Sequence, residues 1–490
     1  MRIFTVVAAV AVAVVAGAGQ SAFAQSRVEI PGLERVKACW DRGDGVLTGA
    51  ERLMDTAPSR DTDWAMPRGG ASVVTLLDNG PVDKRVDLVF VGDGYTAEEM
   101  DLYHQRVDHF VTTLFLTEPF KSYKSRFNVH RVDVVSNESG VDHDPTLGVL
   151  RDTAMDMGFW CQGNSDIERS LCVDSLKARS FSALAPDDDQ VIALANSNKF
   201  GGAAFFGTLI SCVSADAFQA RFTLQHELGH SMFTLEDEYD TGGPAQYTGP
   251  EFGRANISIY DAQEQLDLET KWHYMMGDSI AGFDGPIGAF EGARYSRFGI
   301  FRSSLNSKMR SSARPFNLVG IEGGLRAIHN AAGGFSQFDD ATQPLFGAFS
   351  GHDHEFFVEP IHPSSHELTI WWQLGTEIIP GKTDPRLHLC ELQLQPGEYT
   401  LIVKLQDDTP WIRDEFVRQQ TVFSNGVWFL TIETQPADRT ADGNIDFDDI
   451  LDFVVDYAGA DPTADLAEPF GELDVTDVLE YLDRFTTPCG

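Results

Sequence analysis

Positive charge is scarce in this chain. Its 490 residues carry 37 Lys and Arg against 74 Asp and Glu, a formal net charge of −37. That balance argues against polyanionic partners, nucleic acid and anionic membrane surfaces alike, and favours solubility and binding of cations such as Ca²⁺. Cysteine is also sparse: Cys39, Cys161, Cys172, Cys212, Cys390 and Cys489. No two of them make a CxxC pair, so thiolate zinc sites of that spacing are absent. In an exported chain Cys161 and Cys172 are the natural local disulfide. Long apolar runs are missing beyond the N-terminus. Residues 1–24 read as a secretory signal peptide, with Arg2 as its positive region, residues 3–19 rich in Val and Ala, and Ala22-Phe23-Ala24 as the cleavage site. No Cys follows that cleavage point, so a lipid anchor is not indicated, and no later stretch is long enough to span a bilayer. Cleavage would leave about 466 residues with a formal charge of −38 (36 basic minus 74 acidic) and room for about three domains. The expected location is extracellular, or periplasmic if the chain is retained.

What the chain does have is Gln225-His226-Glu227-Leu228-Gly229-His230, with Leu235-Glu236-Asp237-Glu238-Tyr239 just after it. Two histidines four apart on a helix lie on one face, one turn apart, and both rings can reach one metal ion. This is the His-Glu-x-x-His pattern of zinc peptidases. His226 and His230 are the candidate zinc ligands, and Glu227 is the candidate general base for an attacking water. Ser214 offers an N-cap, and residues 215–233 run without Pro. Phe218, Phe222, Gln225, His226, Gly229, His230 and Phe233 share one side at helical spacing, so the histidines are expected among aromatics.

A third ligand must come from beyond these two turns. On a continued helix Asp237 would lie about 10.5 Å past His230, too far to share an ion. The chain is therefore expected to bend after Phe233 or Thr234, which makes Glu236, Asp237 and Glu238 the candidates.

Around the motif the pattern is α/β. Residues 86–91 form an apolar run that ends in the turn Gly92-Asp93-Gly94-Tyr95. Thr96-Ala97-Glu98-Glu99 is a capping box opening a helix to about Leu116, stopped by Pro119. Residues 127–135 and 190–195 read as two more strands. Strand, helix and strand in this order suggest an α/β layer with the motif helix packed on it. Asp93 and Glu138 follow strand ends, where turn chemistry is a better reading than catalysis. A Met in a turn after the motif helix can floor a metal site, with Met275, Met276 and Met309 available. Residues 25–80 carry mixed polarity and read as a small, partly β piece.

Residues 86 to about 320 resemble the IgA-specific metalloendopeptidases, the igalysin family of metzincin-like zinc peptidases. The matching stretches, in family order, include Val91-Gly92-Asp93-Gly94-Tyr95-Thr96, Glu118-Pro119-Phe120, Phe127-Asn128-Val129 and Ser136-Asn137-Glu138-Ser139-Gly140. They continue with His226-Glu227-Leu228-Gly229-His230-Ser231, Leu235, Asp237-Glu238-Tyr239, Gly288-Ala289-Phe290-Glu291-Gly292-Ala293 and Asn306-Ser307-Lys308-Met309-Arg310. The resemblance implies zinc on His226 and His230, Glu227 as general base, Met309 as the Met-turn residue and Asp237 as third ligand. Glu236 has the second claim, at the ten-residue offset from His226 usual in metzincins, and Glu238 the third. Phe233 stands where the family usually has Gly, which bears on how the chain bends. Tyr239, Tyr274 and Tyr295 each could donate to an oxyanion. His273 is a weak alternative ligand. His329, His352, His354, His362, His366 and His388 lack ligand spacing and read as surface or loop residues.

Residues 350–434 change to short alternating strands between turns, the pattern of a β-sandwich that serves as a packing module. The C-terminus then carries a calcium-loop spacing. Asp438, Thr440, Asp442, Asp446 and Asp449 occupy positions 1, 3, 5, 9 and 12, with Gly443 for the sharp turn and Asn444 lending a carbonyl. Residues 446–453 recur as 474–481, a period of 28. Leu466 falls where the second loop should have its first ligand, so one good Ca²⁺ site and one degraded one are expected. This tail looks like a dockerin, and the resemblance implies a cohesin-like partner.

The expected architecture is thus a signal peptide (1–24), a small segment (25–80), an α/β (α+β) metzincin-like zinc peptidase domain (81–335), a β-sandwich (350–434) and a small α-helical dockerin-like domain (436–490). The expected function is an exported zinc metalloendopeptidase acting on protein or peptide substrates. The competing reading is a catalytically silent binding protein that docks through its tail, and the intact Glu227 separates the two.

Overall fold

Strands buried on both faces are apolar over most of their length, and three segments of this chain have that character. In the computed structural model they form the middle of an eight-stranded mixed sheet. The model describes residues 33–41, 47–55, 71–161, 168–242, 245–338, 345–348, 354–421, 424–432, 437–440, 445–468 and 470–486. The strands are Leu33–Asp41 (β1), Leu47–Asp55 (β2), Ser72–Leu77 (β3), Val86–Asp93 (β4), Phe127–Asp133 (β5), Gln190–Ala195 (β6), Gly202–Phe205 (β7) and Ile210–Ser214 (β8). Their order is β2-β1-β7-β8-β6-β4-β5-β3. Strands β8, β6, β4 and β5 run parallel, and every residue of β4, β6 and β8 is buried. The outer strands turn antiparallel, with β7 on β8, β1 on β7, β2 on β1 and β3 on β5.

Alternation of side chains splits this sheet into two cores. Leu88, Phe90, Ile192, Leu194 and Val213 face helices Met100–Leu114 (α1), Ala220–Ser231 (α3) and Leu318–Ala332 (α4). Val89, Val91, Val191, Ala193 and Cys212 face helix Ser175–Ser182 (α2) and the 154–161 loop. The expected α/β layer is present, with the motif helix packed on it. The Thr96–Glu99 capping box precedes α1 as predicted, and Cys161 pairs with Cys172. Asp93 is structural. It is buried and accepts hydrogen bonds from the N–H groups of Met155 and Met157 and from Thr153, all at 2.8 Å. Burial pushes its carboxyl up to about 6 against those bonds.

The residues assigned above to a sandwich hold four strands of a five-stranded sheet and two of a three-stranded one, and both sheets contribute to a shared core around Phe356, Trp372 and Trp428. Asp407, at the end of strand Gly397–Asp407, ties this layer to the first half of the chain. It accepts from Tyr123 Oη at 2.8 Å and lies 2.9 Å from His329 Nε2, with His366 on its other oxygen. His329 is therefore buried in an interface between layers and corrects the surface reading; His366 joins it there. Burial opposes ionisation of Asp407, but the hydrogen bonds and charge of its histidine neighbours outweigh it and hold the carboxyl well below the usual range. A depressed carboxyl contributes stability above the ordinary carboxylate pKa of about 3.9 and loses it as pH falls below that. Asp407→Ala is expected to cost about 3 kcal/mol at neutral pH by leaving its buried partners unpaired. Urea unfolding should show the gap from wild type shrinking towards pH 3; a constant gap would contradict this account.

In the C-terminal region helices Phe447–Ala458 and Val475–Thr486 pack through the stacked rings of Phe453 and Tyr481, 3.9 Å apart. The internal repeat is visible in their caps. Asp449 accepts from the N–H groups of Thr440 and Asp446, and Asp477 from those of Leu466 and Asp474. Asp442, Gly443 and Asn444 lie outside the described residues, as do the signal-peptide segment and Cys489. Among the described residues no helix is long and apolar enough to cross a membrane.

Candidate metal centre

The motif helix is shorter than the sequence pattern implies. Ser214 is the last residue of β8 and not an N-cap; α3 begins at Ala220, behind Gln219 in a left-handed conformation (φ 73°). Phe218 lies outside the helix and is 87% exposed, so it forms no aromatic face with the histidines. Instead the helix is buried on nearly every side from Thr223 to Ser231, held between the sheet and α4.

Three donor atoms converge at its end. His230 Nε2 lies 3.0 Å from His226 Nε2 and 3.0 Å from Asp237 Oδ1, and His226 Nε2 lies 3.3 Å from the same oxygen. All three residues are buried, and among the described residues they form the one cluster of this kind. A tetrahedral ion bound at ~2.0–2.1 Å separates neighbouring donors by about 3.3 Å, so the triangle fits a zinc ion. The other nitrogen of each ring faces a carbonyl. His226 Nδ1 lies 3.1 Å from Lys308 O and His230 Nδ1 lies 2.8 Å from Leu235 O. Each Nδ1 therefore donates, which leaves each Nε2 lone pair for the cluster. Burial opposes charge on His226, but Asp237 and Glu227 outweigh it and raise its pKa, so the site favours a cation.

The bend that delivers Asp237 is a helix stop made without glycine. Leu235 N–H bonds to Gly229 O at 2.8 Å and Thr234 N–H to His230 O at 3.2 Å, with Thr234 at φ 57°. This is the αL type of helix stop, its 5→1 bond running from Thr234 N–H to His230 O, with a β-branched residue in the left-handed position that usually takes Gly. Phe233 instead packs inward, stacked on Phe120 at 5.1 Å. Relative to a Gly at 233 and a ligand at 236, the turn and the ligand both slip by one residue.

The neighbouring carboxylates are used elsewhere. Glu236 faces Arg254 at 3.3 Å and Arg294 at 3.7 Å. Glu238 is buried and accepts from Ser307, Asn256 and Asn317; burial raises its pKa despite them. Met309 lies directly under the helix: a Cβ on Gly229 would stand 2.6 Å from its Sδ. Glu238 N–H bonds to Met309 O at 2.8 Å, joining the bend to this floor. Met275 lies in a separate core.

Of the three tyrosines, Tyr295 reaches the cluster. Its Oη donates to Asp237 Oδ2 at 2.5 Å. It sits in a two-residue turn between strands Phe290–Ala293 and Ser296–Arg302, with φ 46° at Arg294 and 66° at Tyr295. Such turns favour Asn-Gly, so the backbone here carries strain beside the site. Tyr239 is buried against Tyr295, and Tyr274 bonds to Glu322 away from the cluster. His273 also stays away, its Nδ1 3.2 Å from Thr270 O. Glu227 is fully buried one residue after His226, and a Cβ on Gly202 of β7 would stand 3.0 Å from its Oε1. Sequence reasoning missed Asn256, Asn317 and the two carbonyls that orient the histidines. No side-chain spacing signals a backbone acceptor.

A buried His-x-x-x-His pair joined by a carboxylate, on a helix packed under a mixed sheet, defines the class of metallopeptidases. Residues 74–281 match the model of the family described as IgA Peptidase M64. That stretch is similar to the family, and the chain is a metallopeptidase, a hydrolase acting on peptide bonds. No curated protein matches it.

Proposed function

We propose that the chain is an exported zinc metalloendopeptidase in which His226, His230 and Asp237 hold the zinc and Glu227 is the general base. The observation that carries this reading is the triangle of Nε2, Nε2 and Oδ1 atoms, 3.0–3.3 Å on a side, with Glu227 beside it. A zinc ion there would supply a Lewis acid for the scissile carbonyl and lower the pKa of a water it holds. Glu227 accepts the proton of the attacking water and returns it to the leaving amine. Burial of Glu227 keeps that proton out of exchange with bulk solvent. Tyr295 orients Asp237 through its hydroxyl and is the tyrosine best placed to donate to the oxyanion. Met309 floors the site. The family supports a protein or peptide substrate, and similarity to it weighs against the silent binding protein.

Export rests on the signal-peptide pattern of residues 1–24 and is consistent with the Cys161–Cys172 disulfide. In the tail, Asp438, Thr440, Asp442, Asn444, Asp446 and Asp449 would hold Ca²⁺, and the paired helices would meet a cohesin-like partner. The inward-turned Asp449 carboxylate supports the loop reading. The purified chain should contain about one zinc per molecule by elemental analysis and cleave casein. Dialysis against phenanthroline should abolish cleavage, and zinc should restore it. Cleavage undiminished after complete zinc removal would sink the proposal.

A further inference from the structure

A cavity of about 400 Å³ lies beside the motif helix, within the range of small-ligand sites. Its body is apolar, lined by Phe222 of α3, Ile321 of α4, Ile280, Phe283 and Trp411. Lys308 also lines it and is only 2% exposed. Its Nζ donates to Gln225 Oε1 at 2.8 Å and to Ser312 O at 2.6 Å, and lies 4.8 Å from the centre of the Phe222 ring. Those are its partners among the described residues, and none is a carboxylate. Burial pushes its pKa down to about 7, and the cation Arg221 adds to the effect. Buried charges are ordinarily paired, so this amine lacks a counter-ion for which the cavity has room. Glu118, the one carboxylate in the lining, does not supply it. Its two oxygens accept from the N–H and the hydroxyl of Ser122, both at 3.1 Å. Arg314, the other cation of the lining, is half exposed and pairs with Asp284 at 3.2 Å.

We propose that this cavity is a binding site for a carboxylate carried on an apolar body, with Lys308 as its counter-ion. A single ammonium matches a single negative charge, and the apolar wall disfavours ligands that are polar all round. Two sources have this chemistry. One is an acidic side chain of a peptide substrate, a choice that rests on the peptidase reading above. Phe222 precedes His226 by one turn, about 6 Å along the helix, which is the span of about two residues of an extended peptide. The other source is a free organic acid. Either would bind close to the metal centre, since Lys308 O accepts from His226 Nδ1.

The test uses the full chain, and its first arm needs no turnover. Binding of phenylbutyrate and of its uncharged amide, phenylbutyramide, is measured by titration calorimetry in wild type, Lys308→Met and Ala313→Trp. Lys308→Met removes the charge and keeps the backbone carbonyl that faces His226. Ala313→Trp adds bulk to the lining from an exposed position. Wild type is expected to bind the carboxylate about tenfold or more tightly than the amide, the strength of a hydrogen bond to a charged group. Lys308→Met should bind both alike, and Ala313→Trp neither. Equal affinity of wild type for the two, or binding of neither, would overturn the proposal without any variant having to fold. A preference for the carboxylate that survives in folded Lys308→Met would overturn it too, because the carboxylate would then sit elsewhere, on a bound metal for instance. The second arm distinguishes the sources with quenched peptides that differ only in Glu or Gln at each position flanking the cleaved bond. A preference for Glu in kcat/KM of about tenfold at one position, lost in Lys308→Met, makes the substrate the source. Carboxylate binding without a preference for Glu makes it a free organic acid. Carboxylate binding with no cleavage of any peptide would leave the site standing and count against the peptidase reading instead.

Discussion

Glu227→Gln is expected to lower kcat/KM for peptide cleavage about a thousandfold while leaving the zinc content unchanged. The amide fills the same volume, so the contact with Gly202 of β7 and the course of the helix are preserved. The three donors that converge on one another are His226, His230 and Asp237, none of which changes. What would be lost, on the proposed reading, is the carboxylate that takes a proton from water and hands it on. Glu236 cannot substitute, being held between Arg254 and Arg294. Glu238 cannot either, since its carboxylate is enclosed by Ser307, Asn256 and Asn317. Cleavage rates on a library-derived peptide, read beside elemental analysis, test this directly. Activity within tenfold of wild type would remove Glu227 from the chemistry.

The parts of this fold that were legible are those whose burial is reflected in composition. Strands β4 and β6 are buried on both faces and read as apolar runs, and the Thr96–Glu99 box announced α1. The pair His226 and His230 was legible because spacing alone puts two rings on one helical face. The start of that helix was not. Residues 215–218 continue its composition, but Gln219 takes a left-handed conformation and breaks the chain direction there. Since the helix is enclosed almost all round, it has no polar face to mark its register, and the exposed Phe218 was misplaced on it. The choice between Glu236 and Asp237 turned on which residue takes the left-handed position. The usual offset puts it at 233 and points to Glu236; the hydrogen bonds put it at Thr234 and deliver Asp237. Long-range partners were beyond reach for a different reason: His329 and Asp407 are 78 residues apart and meet only because two layers pack.

Asp237→Ala is expected to weaken zinc binding at least a hundredfold and to abolish cleavage with it. Loss of an outer hydrogen-bond partner commonly costs 10–100-fold in metal affinity, and loss of a direct donor costs more. Two buried imidazoles would remain, with Asp237 no longer completing the triangle of donors. The change also removes the acceptor of Tyr295 Oη, which would turn free in a strained turn. Tyr295→Phe separates the two effects: it keeps the donor set, and its affinity should fall by about tenfold, within the range for an outer partner. Glu236→Ala gives the complementary control. It disrupts the pairs with Arg254 and Arg294 but leaves His226, His230 and Asp237 in place, so zinc affinity should stay within a few-fold of wild type. Titration against a zinc-buffering chelator ranks the variants. The order Asp237→Ala weakest, Tyr295→Phe intermediate and Glu236→Ala near wild type identifies Asp237 as the third donor. A hundredfold loss in Glu236→Ala with little change in Asp237→Ala would give that role to Glu236 and require the chain to bend one residue earlier than Thr234.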